Sequence, residues 1–305
     1  MLTQSCRRDK LDVSAPTPDT QPTMTVPFSP TTVTIAIVTY NNAHTLPECL
    51  ASLPPTAPLK VWDNASQDST LATLRQLAPH AQVEGTGENL GFGTAHNRLL
   101  ATVTTPYVLL LNPDAQLWPS TLGTLVQALA DHPQAVVAGP QHVGDDGTPT
   151  RAWKVDETLY PEPAARALVG PGPWPVGMIS GACMLWRTEA LKALGGFDET
   201  IFLYFEDDDL CARARRTGHQ VLWVPQAQVR HGVAASTPGI EGAIRRERAM
   251  AWGRLYVSRK HARLGHRLWG WQPWAWLLTY AKRWLVDTLK QDHRRQARWR
   301  GGWQG

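Results

Sequence analysis

The chain has 305 residues, of which 43% are hydrophobic and 18% charged, enough for one large packed domain with an appendage and too few for two full domains. Its net charge of +4 hides an asymmetry: residues 1–240 carry 15 Lys/Arg against 22 Asp/Glu, whereas residues 241–305 carry 15 against 4. Cys6, Cys49, Cys183 and Cys211 are scattered and form no Cys-x-x-Cys pair, which argues against a disulfide framework and for reduced, packed thiols in a cytosolic protein.

Residues 1–30 are rich in Thr, Pro, Ser and Asp, and predict a disordered arm. They hold no apolar stretch of signal-peptide length, and no hydrophobic region follows Arg7 and Arg8, so nothing in them predicts export. Val33 to Thr39, Leu59 to Trp62 and Tyr107 to Leu111 read as strands, each ending at polar residues. Between them, Leu71, Leu74, Leu77 and Ala78, then Ala95, Leu99, Leu100 and Val103, recur at helical spacing. The alternation predicts βαβ units in an α/β, Rossmann-like, mainly parallel sheet with flanking helices, over residues 31–240. Ligands of such sheets bind beyond the carboxyl ends of the strands, where the polar clusters fall. Residues 141–175 read as a long loop over the site, Val176 to Trp186 as a buried strand, and Glu206 to about Thr217 as a helix.

Each cluster has a chemical and a bland reading. Thr39, Tyr40, Asn41 and Asn42 suit a nucleobase and ribose, or cap a helix. Asp63, followed by Asn64 and Ser66, can accept the imide N–H of a uracil or thymine; Ser66 and Asp68 can equally cap the next helix. Asn89, Gly91 and Gly93 open a helix with backbone N–H groups available to a phosphate or sugar. A dinucleotide fingerprint is excluded, because the third glycine is missing and the motif follows the second strand. Asn97 points back at this site or into solvent. Asn112 and Asp114 follow an apolar strand, where one carboxylate with substrate phosphates is enough for Mg²⁺ or Mn²⁺; a plain Asn-Pro-Asp turn is the alternative. His231 is a further ligand or a structural histidine. The run Glu206, Asp207, Asp208, Asp209 is more than helix capping requires, and its apolar approach through Phe202 to Phe205 favours general-base work.

In this order the motifs Val38-Thr-Tyr-Asn-Asn, Asp63-Asn-Ala-Ser-x-Asp68, Asn89-Leu-Gly-Phe-Gly93, Asn112-Pro-Asp114, Ser180-Gly-Ala182, Gly196-Phe-Asp198 and Phe205-Glu-Asp207-x-Asp209-Leu210 resemble the family 2 glycosyltransferases, especially their bacterial rhamnosyltransferase-like branch. The resemblance covers about residues 32–235 and implies a GT-A fold and an inverting transfer from a nucleoside diphosphate sugar to a glycan or lipid-linked acceptor of the cell envelope. It implies that Thr39, Tyr40, Asn41 and Asp63 hold the nucleoside, and that Asn89 to Gly93 with Asn97 border the donor. It further implies Asp207 as catalytic base with Glu206 beside it, and Asp114 and His231 as ligands of a divalent cation. Asn112 stands where the family has the first acid of an Asp-x-Asp pair. A sugar nucleotidyltransferase is disfavoured, because no glycine-rich, Arg-bearing phosphate loop follows the first strand; a non-catalytic nucleotide-sugar-binding or scaffold protein is the reading from another class.

Residues 241–305 hold 8 of the 14 Trp, interleaved with Arg and Lys, and no uncharged run long enough to cross a bilayer. A basic, Trp-rich helical tail is expected, lying on the anionic inner face of the cell membrane. The alternatives are a helical lid on the catalytic domain and nucleic-acid binding, which the acidic remainder of the chain disfavours.

Overall fold

The computed structural model describes residues 28–154, 171–232 and 240–261. The N-terminal arm to residue 27, loop residues 155–170 and the tail from residue 262 lie outside the described residues.

Three strand readings hold almost to the residue: β1 (Val33–Thr39), β2 (Leu59–Asp63) and β4 (Tyr107–Leu111). With β3 (Gln82–Glu84) they form the parallel half of one sheet, in the order β3-β2-β1-β4. Helices α1 (Leu46–Ala51), α2 (Thr70–Leu77) and α3 (Phe92–Leu100) make the crossovers. Every residue of β1 is buried, as expected of a strand covered on both faces. Alternation then divides the core in two. Ile35, Ile37, Leu109 and Leu111 pack on one face with Leu46 of α1 and Leu74 of α2. Ala36, Val38, Val108 and Leu110 pack on the other with Ala95 and Leu99 of α3.

The other half of the sheet is mixed. It contains β5 (Ala115–Leu117), β6 (Ala135–Val143), β11 (Cys183–Arg187) and β12 (Gln220–His231), and continues the order as β4-β11-β6-β12-β5. Strand β11 runs antiparallel to both β4 and β6, from Cys183 opposite Leu111 to Arg187 opposite Tyr107. Its first residues therefore lie at the carboxyl edge of the parallel strands, which is how a later segment reaches the crevice. Helix α4 (Thr121–Asp131) covers this half through Leu122, Leu125 and Leu129. Its apolar residues recur at helical spacing in the sequence.

Two expectations need correction. Val176 to Trp186 is not one strand: β9 (Trp174–Val176), β10 (Met178–Ile179) and β11 are separate, interrupted by Ser180-Gly-Ala182. The 141–175 region is also more ordered at its ends than a loop, since β6 runs to Val143 and is followed by β7 (Pro149–Thr150) and β8 (Trp153–Lys154). Helix α5 (Thr188–Ala193) follows β11, α6 (Glu206–Arg216) carries the acidic run, and α7 (Ile240–His261) packs against α6.

His96 of α3 is buried between the rings of Phe92 and Phe197, with centroids 4.5 Å and 5.9 Å away. Neither ring nitrogen has a hydrogen-bond partner among the described residues. Burial pushes its pKa down to about 3. The imidazole is thus neutral in the fold yet takes a proton in the unfolded chain, so its contribution is present above the unfolded pKa and is lost as pH falls through the window towards about 3. His96→Phe is expected to flatten the acid limb of the stability curve by up to about 1.4 kcal/mol per pH unit, whatever the substitution costs at neutral pH. Urea denaturation of both proteins at a series of acidic pH values checks this; parallel curves would refute it.

Candidate active site

The carboxyl ends of β1 and β2 are tied together by the residues expected to meet a nucleoside. Thr39 and Asp63 are direct neighbours in the register, and the Thr39 hydroxyl donates to Asp63 Oδ1 at 3.0 Å. Asp63 Oδ2 accepts the Ser66 N–H at 3.0 Å, and Ser66 Oγ in turn accepts the Asn41 N–H at 2.9 Å. Asn41 Oδ1 accepts the Gln67 N–H at 2.8 Å. Asn41 and Ala65 both have left-handed backbones, with φ of 57° and 63°. The helix cap is supplied by Asp68, whose Oδ1 accepts the Thr70 N–H, so Ser66 serves the loop rather than the cap.

Beside this knot is a cavity of about 590 Å³ lined by Asp63, Ser66, Gln67, Arg75, Glu84 and Gly85 among others. Tyr40 stands exposed at the end of β1. Arg75 and Glu84 were not foreseen: one sits on a helix and the other ends a short exposed strand, positions with no local signal of function.

The 89–97 segment is held by its own polar groups. The Asn64 amide bridges the Leu90 N–H and the Gly91 carbonyl, at 3.1 Å and 2.9 Å, and Asn89 Oδ1 accepts the Gly91 N–H at 3.0 Å. The Phe92 N–H donates to the Phe202 carbonyl at 2.9 Å. The Leu90, Gly91 and Phe92 N–H groups are thus engaged within the chain. Gly91 has φ of 81°, and a Cβ there would stand 2.3 Å from the Phe202 carbonyl oxygen, so glycine is required for contact with the segment leading to the acidic run. Asn97 brackets Phe197: its amide accepts the Phe197 N–H at 2.8 Å and donates to the Phe197 carbonyl at 2.9 Å.

The acidic run begins on an unusual turn. Tyr204 and Phe205 both have positive φ, 67° and 70°, immediately before Glu206 opens α6. The four carboxylates then diverge. Asp207 is part-exposed; its Oδ2 accepts the Gly181 N–H at 2.9 Å and its Oδ1 the Asp208 N–H at 2.9 Å. Asp208 pairs with Lys154 at 2.7 Å. Asp209 is fully buried and paired with Arg213, Lys260 and His261. Burial pushes its pKa up, but His261, Lys260 and Arg213 outweigh that and hold it down at about 2. Glu206 is buried, and its Oε2 has no partner among the described residues. Burial, and then the charges of Asp207 and Asp208, hold its carboxyl well above the usual range.

Backbone contacts connect this helix to the end of β4. Gly181, bonded to Asp207, precedes Ala182, whose carbonyl accepts the Asn112 N–H at 2.9 Å. Two residues on is Asp114, whose Oδ1 lies 3.4 Å from His231 Nε2. They meet because β12 does not stop at Val224: it shifts register between Val224 and Gln228 and continues to place His231 opposite Ala115 of β5. The His231 ring packs edge-on against buried His142, at 5.3 Å. Burial, with help from His231, pushes the His142 pKa down to about 3. Among the described residues no three His, Cys, Asp or Glu side chains form a metal cluster. The pair Asp114 and His231, one oxygen and one nitrogen donor, each partly open to solvent, fits a divalent cation completed by oxygens from elsewhere.

Cys49, Cys183 and Cys211 are buried free thiols. Burial, with Asp114 adding, pushes Cys49 up to about 12, and burial raises the other two further. No helix among the described residues is long and apolar enough to cross a membrane.

Residues 30–253 match the sequence profile of the family described as Glycosyltransferase like family 2. The N-acetylglucosaminyl-diphospho-decaprenol L-rhamnosyltransferase of Mycobacterium tuberculosis is 33% identical over 236 residues, spanning 67% of this chain and 76% of that one. A low-salt glycan biosynthesis hexosyltransferase of Haloferax volcanii is 25% identical over 199 residues, 60% of this chain and 62% of that one. Among solved structures, a mannosyltransferase of Pyrobaculum calidifontis in complex with GDP-Man and Mn²⁺ superposes with a TM-score of 0.57 at 22% identity, covering 78% of this chain and 68% of that chain. Residues 1–349 of S. aureus TarS give 0.52 at 16% identity, with 87% and 90% covered. The profile match extends from just ahead of β1 to the middle of α7, and with the rhamnosyltransferase likeness it makes this chain a member of glycosyltransferase family 2, built on the GT-A fold.

Proposed function

We propose that the protein transfers a sugar, rhamnose by analogy with the mycobacterial relative, from a nucleoside diphosphate donor to a lipid-diphosphate-linked glycan, with inversion at the anomeric carbon. The observation that carries this reading is the chain of hydrogen bonds from Asn112 through Ala182 and Gly181 to the Asp207 carboxylate, which holds that carboxylate and the Asp114–His231 pair at one sheet edge. The cavity beside Asp63 would take the base, with Thr39, Tyr40, Asn41, Asn64 and Ser66 shaping its wall. The segment holding Asn89, Gly91, Gly93 and Asn97 would border the donor, with Asn112 at the diphosphate end.

In the proposed reaction the acceptor hydroxyl attacks the anomeric carbon while its proton passes to the Asp207 carboxylate. The new C–O bond forms as the bond to the diphosphate breaks, and the nucleoside diphosphate leaves with the bonding pair. A divalent cation, Mg²⁺ or Mn²⁺, held by Asp114 and His231 would offset the charge on the departing diphosphate. The Pyrobaculum structure contains Mn²⁺, which supports this assignment. Glu206 is less suited to be the base, because burial and the charges of Asp207 and Asp208 raise its pKa and disfavour its ionised form.

An acceptor on a lipid requires a way to the membrane, and we assign that to the tail on the inner face of the cell membrane. The outer side of α7, which leads into the tail, supports this: Trp252 and Leu255 are exposed there, flanked by exposed Arg248 and Arg259 at helical spacing. No feature of the described residues favours a nucleotidyltransferase or a silent scaffold over this reading.

Purified protein with Mn²⁺ is expected to release nucleoside diphosphate from one member of a panel of nucleotide sugars, and Asp207→Asn to slow this by about 10²–10⁴-fold with the fold intact. An NMR assay of the transferred sugar checks the stereochemistry, and retained configuration would exclude the direct displacement. Glu206→Gln tests the second acid. Because the folded pKa of Glu206 is raised, its stabilising contribution is full below the unfolded pKa and is lost as pH rises through the folded value. The variant is therefore expected to gain Tm over the parent as pH rises from about 5 to about 8. A constant Tm difference across that range would show that Glu206 is ionised in the fold.

A further inference from the structure

Helix α7 touches the acidic turn at three successive levels. At Gly253 the helix lies so close that a Cβ would stand 2.5 Å from the Tyr204 carbonyl oxygen and 3.3 Å from the Phe205 ring. One turn on, the Tyr256 hydroxyl donates to Asp198 Oδ2 at 2.8 Å. At the end of the helix Lys260 Nζ reaches both Asp198 Oδ2, at 2.6 Å, and Asp209 Oδ1, at 2.8 Å. His261 Nε2 lies 2.7 Å from the same Asp209 oxygen, and its carbonyl accepts from Arg216 at 2.6 Å.

Asp198 precedes the Tyr204–Phe205 pair in the chain and Asp209 follows it, so a single ammonium closes the loop that contains the turn. Two adjacent left-handed residues with side chains are unfavourable and persist only where their surroundings hold them. Phe92 supplies one restraint, through its bond to the Phe202 carbonyl. The other comes from α7, at Tyr204 and Phe205, two to three residues before Asp207 in the chain.

We propose that α7 splints the acidic turn, and that Lys260 is a positioning residue for Asp207, acting through Asp198 and Asp209 rather than by touching substrate. This rests on Asp207 being the base. A surface ion pair of general stabilising value would be indifferent to which loop it closed; here the loop holds the strained turn and the first carboxylates of α6. The depressed pKa of Asp198, where Lys260, Thr200 and Tyr256 outweigh the effect of burial, agrees with a persistently charged contact.

The test uses the full chain and three variants: Lys260→Met, Lys260→Arg as the conservative rescue, and Gly253→Ala, which pushes the helix from the turn with every charge in place. Hydrogen exchange is followed by peptide, and Mn²⁺-supported hydrolysis of dTDP-rhamnose serves as the turnover probe. Lys260→Met and Gly253→Ala are each expected to speed exchange by roughly tenfold within residues 202–210 while β1 and α3 stay protected. Hydrolytic kcat should fall roughly tenfold or more with donor KM unchanged within about twofold, and Lys260→Arg should recover most of it. Unchanged exchange at 202–210 in both disruptive variants overturns the splint, as does faster exchange spread over the whole domain. Local loosening with unchanged kcat overturns the positioning role. A wild-type protein that hydrolyses no nucleotide sugar defeats the transferase reading alone, since the exchange pattern still decides what α7 does.

Discussion

The site depends on the antiparallel contact of β11 with β4, the last strand of the parallel half. Because β11 runs against β4, the residues that begin it lie where β4 ends, and two hydrogen bonds follow from that direction: the Asn112 N–H to the Ala182 carbonyl, and the Gly181 N–H to the Asp207 carboxylate. A parallel β11 would have carried Ser180 to Ala182 to the far edge of the sheet, leaving the acidic helix without its anchor. The loops that carry Asp114 and Asp207 are therefore placed by the sheet itself, with only short side chains in between.

A second constraint is the handling of negative charge. Four consecutive carboxylates begin α6, and the structure separates them by giving each a different environment: Lys154 for Asp208, a cationic pocket for Asp209, solvent and a backbone N–H for Asp207, and apolar burial for Glu206. An uncompensated buried charge costs about 3–5 kcal/mol, so the run is tolerable because two acids are paired, Asp207 is part-exposed, and burial raises the pKa of Glu206 and so disfavours its charged form. Helix α7 supplies the Lys260 ammonium and the His261 imidazole to Asp209, both beyond residue 253, where the family match ends.

The parallel half was legible because its strands are short, apolar and punctuated by polar ends, and because α2 and α3 keep helical spacing. The direction of β11 was not, since the connection before it is long and strand alternation has no sign. Thr39, Asp63, Asp114 and Asp207 could be singled out because strand ends and helix starts mark them locally. Lys154, Tyr256, Lys260 and His261 could not, because each matters through a partner more than 50 residues away in sequence. The glycines of the 89–93 motif were legible as special, whereas the close approach of Gly91 to the Phe202 carbonyl, more than 100 residues away in sequence, was not.

The irregularity in β12 sets a rule of spacing. Val224 faces Pro140 of β6, yet the next paired residue is Gln228, opposite Gln141, so the strand takes up an extra stretch of chain before resuming its course. Side chains alternate across a strand, so the parity of that stretch determines which face His231 presents to Asp114. Insertion or deletion of a single residue between Val224 and Gln228 would turn the imidazole to the opposite face without changing any residue of the site. A segment that looks like a tolerant surface kink is thus a counted spacer, in which length carries the information that composition does not.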